Sequence, residues 1–150
     1  MISRVGFHRS VNTWRPRTPL KNTIKRLGQA LADTVTNNYV IGQIPIKGSS
    51  TQFYTVEARR FAGYDKHVNG RIPGEGILIH KVDTPLSYRN AKVMDSTTVD
   101  KNPDDVGAMR LPGKTFTDKF NGITVRIIGQ YILSGSSTPS GYSMQIQRTR

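Results

Sequence analysis

Three histidines, His8, His67 and His80, are the side chains best suited to metal binding or proton transfer near neutral pH. None has a second histidine or a glutamate at the spacing of a metal-ligating helix. The chain has no H-E-x-x-H, no G-x-S-x-G and no phosphate loop of the G-x-x-x-x-G-K-S/T type. His80 lies in an apolar run, where a hydrogen-bonded sheet histidine is the plainer reading than a ligand. An enzyme of unrecognised type would have to use His80 with Asp83 or Glu57, and no set of nucleophile, base and orienting group is visible. Gly70 to Gly76 is glycine-rich but precedes a strand-like run rather than a helix, so it reads as a turn and not as a phosphate cradle. With no cysteine, the chain has no disulfide, thiol nucleophile or thiolate metal site.

A second chemistry is hard-cation binding. Asp100, Asn102, Asp104 and Asp105 place several oxygen ligands in one polar stretch, Asp95 to Gly107. Calcium takes six to eight oxygens, largely from such side chains. The order does not match a helix-loop-helix calcium loop, and Pro103 stiffens the segment. A solvated acidic loop is the expectation, with calcium the one possible cofactor.

The third is polyanion binding. The net charge is +12, from 22 Lys and Arg against 10 Asp and Glu. Arg4, Arg9, Arg15, Arg17, Lys21, Lys25 and Arg26 all precede the first acidic residue, Asp33, and Trp14 lies among them. Cations that neutralise phosphates give salt-dependent affinity for nucleic acid or another polyanion. The bland reading is a solvated tail whose charge aids solubility. The expected organisation is a basic arm over 1–21 and a single domain over 22–150. The arm is acid-free and Arg-rich, a loose likeness to a transit peptide, but no apolar signal region is seen. No apolar run approaches the ~20 residues that span a bilayer as a helix.

These residues have to be positioned by a mostly β body. Tyr39–Ile46 and Phe53–Arg60 read as a hairpin, with Pro45 requiring a strand end, bulge or edge. Such an edge is a place where another chain can pair, giving an oligomer or a protein partner. Tyr54, Val56 and Ala58 alternate with Thr55, Glu57 and Arg59, so one face is apolar. Ile77–Val82 is a short apolar run of buried-strand type. Ser87–Met94 is a weak strand; Ile123–Ile128 and Tyr142–Gln147 are clear ones. Asn22–Ala32 is ambiguous: Ile24, Leu27 and Leu31 mark one helical face, whereas Thr23-Ile24 also suits a strand. Short strands divided by Gly/Pro turns predict an antiparallel sandwich or barrel-like β domain with at most one short helix.

The stretch FYTVEARRFAGYDKHVNGRIPGEGILIHKVD resembles a segment downstream of the zinc site in secreted bacterial metallopeptidases of the immune inhibitor A type. There, a YxxExR strand is followed by GYD or GFD, by LPGxGxLIxHxD, and later by PGxxFxDxxNGIxVxV. This chain offers Tyr54, Glu57 and Arg59; Gly63, Tyr64 and Asp65; then Ile72, Pro73, Gly74, Gly76, Ile77, Ile79, His80 and Asp83. Further on it has Pro112, Gly113, Phe116, Asp118, Asn121, Gly122, Ile123 and Val125. The pieces occur in order across residues 44–128. The family's H-E-x-x-H helix lies upstream of this region and is not in this chain. The resemblance therefore implies a non-catalytic β module, with Glu57, Arg59, Tyr64, Asp65 and His80 in a structural polar network. It also implies relatives that are secreted. The alternative is the polyanion- or nucleic-acid-binding protein described above.

Overall fold

The computed structural model describes residues 13–14, 22–28, 41–61, 73–86, 90–95, 106–132, 134–135, 137 and 141–149. These residues form two β-sheets on one apolar core. The first sheet is built on the expected hairpin. β3 (Ile41–Pro45) and β4 (Gln52–Arg59) pair antiparallel, with Ile44 opposite Tyr54 and Pro45 opposite Phe53. Pro45 is the last residue of its strand, where its missing N–H costs no ladder bond. β4 then pairs with β5 (Gly76–Asp83) along its full length, Val56 facing Ile79 and Thr55 facing His80. β6 (Ala91–Val93) and β7 (Met109–Arg110) both pair with β5, one toward each end. β1 (Thr13–Trp14) runs parallel to β3 and covers the edge that the sequence leaves open at Ile41 and Gly42.

The second sheet has the order β2-β10-β9-β8 and is antiparallel throughout. Its strands are β2 (Asn22–Gly28), β8 (Thr115–Asp118), β9 (Ile123–Tyr131) and β10 (Gly141–Arg148). Of the two readings left open for Asn22–Ala32, the described part takes the strand. Asn22–Gly28 is a strand, paired residue for residue with Gln147–Gly141. Gly28 and the β-branched Thr23-Ile24 disfavour a helix, and a long neighbouring strand supplies backbone partners that a three-residue apolar face cannot outweigh. Positions 29–32 lie outside the described residues. A bulge at Ile128 shifts the β9–β10 register between Ser143 and Met144. Among the described residues there is no α-helix, only a 3₁₀ turn at Val106–Ala108, and no helix long and apolar enough to cross a membrane.

The two sheets meet face to face. Ile44, Tyr54, Val56, Ala58, Ile77 and Ile79 from the first pack against Phe116, Ile123, Val125, Ile127, Tyr142, Met144 and Ile146 from the second. Each side chain of this size contributes about 1.5–3 kcal/mol when fully buried. The architecture is thus an antiparallel sandwich. β5 is covered on both faces: Leu78 points away from the main core and joins Ala108 and Met109 in a second small cluster, with Val93 against it. This is why Ile77–Ile79 is apolar without alternation.

Candidate functional site

The residues that carry the family-like motif gather in two places. One is the outward face of the first sheet. Glu57 on β4 and His80 on β5 are diagonal neighbours, Glu57 lying two residues beyond Thr55, the partner of His80, and His80 Nδ1 is 3.8 Å from Glu57 Oε1. Arg59 Nη1 lies 3.5 Å from Glu57 Oε2. Burial pushes the His80 imidazole below its usual range; the Glu57 carboxylate opposes this and the Arg59 guanidinium reinforces it. The ring is therefore neutral at pH 7, and its contact with Glu57 is polar rather than an ion pair. Glu75 in the turn before β5 accepts a hydrogen bond from the Phe61 backbone N–H at 2.8 Å, which clamps that turn to the end of β4. Asp83, the other acid near His80 in the sequence, accepts from Gln52 Nε2 at 2.7 Å across the strand pair. Tyr64 and Asp65 lie outside the described residues.

The second place is the junction between the sheets. The Tyr54 hydroxyl on β4 donates to Asp118 Oδ2 on β8 at 2.6 Å. Asn121 completes the group: its backbone N–H donates to Asp118 Oδ1 at 3.1 Å and its side-chain amide to Oδ2 at 2.5 Å. Burial alone would raise the Asp118 carboxyl, but these donors and the Phe120 backbone amide hold it below the usual carboxylate range. Burial, and then the carboxylate it bonds, push the Tyr54 phenol well above its ordinary value. The Phe116 ring stands edge-on to Tyr54, centroids 5.1 Å apart, and the Arg110 guanidinium lies 5.3 Å over the Phe116 ring. Arg110 is 2 % exposed; burial pulls its pKa down and the Asp95 carboxylate opposes that shift.

Two glycines of the motif make close backbone approaches. Gly76 has φ +154°, and a Cβ there would meet the Arg110 carbonyl at 3.0 Å; Gly122 has φ +62°, and a Cβ would meet the Thr149 carbonyl at 2.7 Å. Gly74 needs no such approach, since a Cβ would only touch the Met109 side chain at 3.7 Å.

Sequence reasoning names Tyr54 and Asp118 as motif members but gives no reason to join them, because they are 64 positions apart. It also passes over Lys47, Lys119 and Phe120. A phenylalanine between Lys119 and Asn121-Gly122, in a turn with no strand face to bury it, is the signal that could have found them.

Of the polyanion candidates, Arg4, Arg9, Arg15, Arg17 and Lys21 lie outside the described residues; for Trp14, Lys25 and Arg26 only the strand backbone is described. Asp100, Asn102, Asp104 and Asp105, the calcium candidates, also lie outside them. Among the described residues, no group of three or more His, Cys, Asp or Glu could hold a metal ion.

Comparison with protein-family models, with curated proteins and with solved structures finds no match to this chain.

Proposed function

We propose that this chain is a non-catalytic β module of the kind that follows the zinc site in immune inhibitor A-type metallopeptidases, and that it supports or binds a catalytic partner domain. The observation that carries this reading is where the motif's polar groups go. Asp118 accepts from Tyr54 and twice from Asn121, Asp83 accepts from Gln52, and Glu75 accepts from a backbone amide. Carboxylates bound in this way hold strands and turns together. The glycines at 76 and 122 serve chain packing in the same sense. The polar pattern is that of a scaffold.

The test has two arms. Purified chain, with and without added zinc, is incubated with a quenched fluorescent peptide and with casein. No turnover above buffer is expected, and chelator-sensitive hydrolysis would overturn the reading. The chain is also co-expressed with an H-E-x-x-H catalytic domain of the same type that lacks its own β region. A raised soluble yield and melting temperature of that domain are expected. If neither changes, the support role is wrong. A reading frame encoding such a zinc domain directly upstream of this gene is the corresponding genetic observation.

A further inference from the structure

One end of the sandwich carries a concave basic cleft that the scaffold reading does not use. It encloses about 510 Å³ and is lined by Lys47 and Gly48 of the β3–β4 turn, Lys119 to Gly122 of the β8–β9 turn, and Thr149 after β10. Phe120 is 97 % exposed, the most exposed of the large apolar side chains among the described residues. Phe120 thus presents an accessible aromatic face beside the two lysines of the cleft.

The charged side chains that line the cleft are both cationic. Neither the Lys47 nor the Lys119 side chain has a hydrogen bond or ion pair with any described residue. Asp118, beside Lys119, keeps its negative charge but does not line the cleft, and its oxygens are held by Tyr54 and Asn121. A third cation, Arg148, donates through Nη2 to the Pro45 carbonyl, between the strand ends that frame the cleft.

The cleft is also fixed in shape. Ser49 Oγ accepts from the Thr51 and Gln52 amides, and the Ser49 amide donates to the Ile46 carbonyl, closing the first turn. Thr149 N–H donates to the Gly122 carbonyl at 2.8 Å, tying the second turn to the end of β10. Two pre-set turns lower the ordering cost of binding.

We propose that this cleft binds single-stranded nucleic acid, with a base stacked on Phe120 and the flanking phosphates held by Lys47 and Lys119. An aromatic platform beside cations that track a backbone is the arrangement that recognises single strands without sequence preference. A rigid duplex keeps its bases stacked and cannot offer one to Phe120. A membrane surface is a poorer match, because a single apolar side chain beside a concavity gives little area to insert into lipid. The proposal needs nothing from the N-terminal basic residues and stands apart from the metallopeptidase-module reading.

The test measures binding of the full chain to a labelled twelve-nucleotide oligo-dT by fluorescence anisotropy at several salt concentrations. A duplex of equal length and phosphatidylserine vesicles serve as the other probes. The chain is expected to bind the single strand, and Phe120→Ala to weaken binding about 10-fold while Phe120→Trp retains it. Lys47→Gln with Lys119→Gln should reduce the slope of log affinity against log salt by about 1.4. Because Phe120 is almost fully exposed, its substitution should leave the melting curve in place, so lost binding cannot be confused with lost folding. Absence of oligonucleotide binding by the parent chain overturns the proposal. So does an alanine variant that binds as the parent does, or a duplex bound as tightly as the single strand. Phe120-dependent binding to vesicles without binding to the oligonucleotide also overturns it and reassigns the cleft to lipid.

Discussion

Tyr54 and Asp118 join the two sheets: the phenol of β4 in the first donates to the carboxylate of β8 in the second at 2.6 Å, beside the edge-on contact of Tyr54 with Phe116. Hydrogen bonds to a charged group contribute more than neutral ones, about 1.5–3 kcal/mol each. Tyr54→Phe keeps the ring and removes the bond. It should lower the unfolding free energy in urea by about 1–3 kcal/mol with little change in the denaturant slope. A double-mutant cycle with Asp118→Asn should show clear coupling, and additive single losses would mean that the bond does not link the sheets energetically.

The pH profile of stability follows from three groups. His80, lowered in the fold, is protonated more readily in the unfolded chain, so stability should fall as pH drops below its unfolded value near 6.5. Asp118, also lowered, contributes stability that is present above its unfolded value near 3.8 and lost as pH falls through its folded value. Tyr54, raised in the fold, contributes stability that is present below its unfolded value near 10.0 and lost as pH rises above it. A plateau between about pH 7 and 10 is expected from these shifts. Thermal melts of His80→Gln should lack the first step of the acid limb, and melts of Tyr54→Phe the alkaline decline. Unchanged profiles would show that other groups set both limbs.

Gly122→Ala should be costly. It puts a Cβ into the left-handed region and within 2.7 Å of the Thr149 backbone carbonyl. A loss of about 2–3 kcal/mol is expected. Gly113→Ala is the control, because it shares a positive φ of +85° but meets nothing within 4 Å. It should cost about 1 kcal/mol. Equal losses at the two positions would show that the close approach to Thr149 adds nothing.

The two clusters on the faces of β5 can be separated by truncation. Ile79→Ala opens the main core and should cost about 2–5 kcal/mol. Leu78→Ala affects only the small cluster with Ala108 and Met109, where Leu78 is 9 % exposed, and should fall at or below the lower end of that range. If Leu78→Ala is the more damaging, the outward face of β5 is more tightly packed than its small cluster indicates, and urea denaturation of both variants will decide it.

Most of the strand content follows from short-range chemistry. The alternation of Tyr54, Val56 and Ala58, the branched run at Ile77–Val82 and the period-two pattern of Tyr142–Gln147 all describe chains that need an apolar partner layer, and each is a strand here. Pro45 fixes where β3 stops because it lacks a donor. The class of fold was therefore settled by residue types and their periods. Tertiary structure decided what local patterns cannot encode. Asn22–Gly28 is a strand because β10 offers it a full row of backbone partners. Met109–Arg110 is a strand only because β5 lies beside it. Tyr54 meets Asp118, and Lys47 comes to share a cleft with Phe120, because two hairpins far apart in sequence close on one core. Periodicity reports the environment of a residue along its own strand; which strand lies opposite is set by the burial of both faces together, and that is a property of the whole chain.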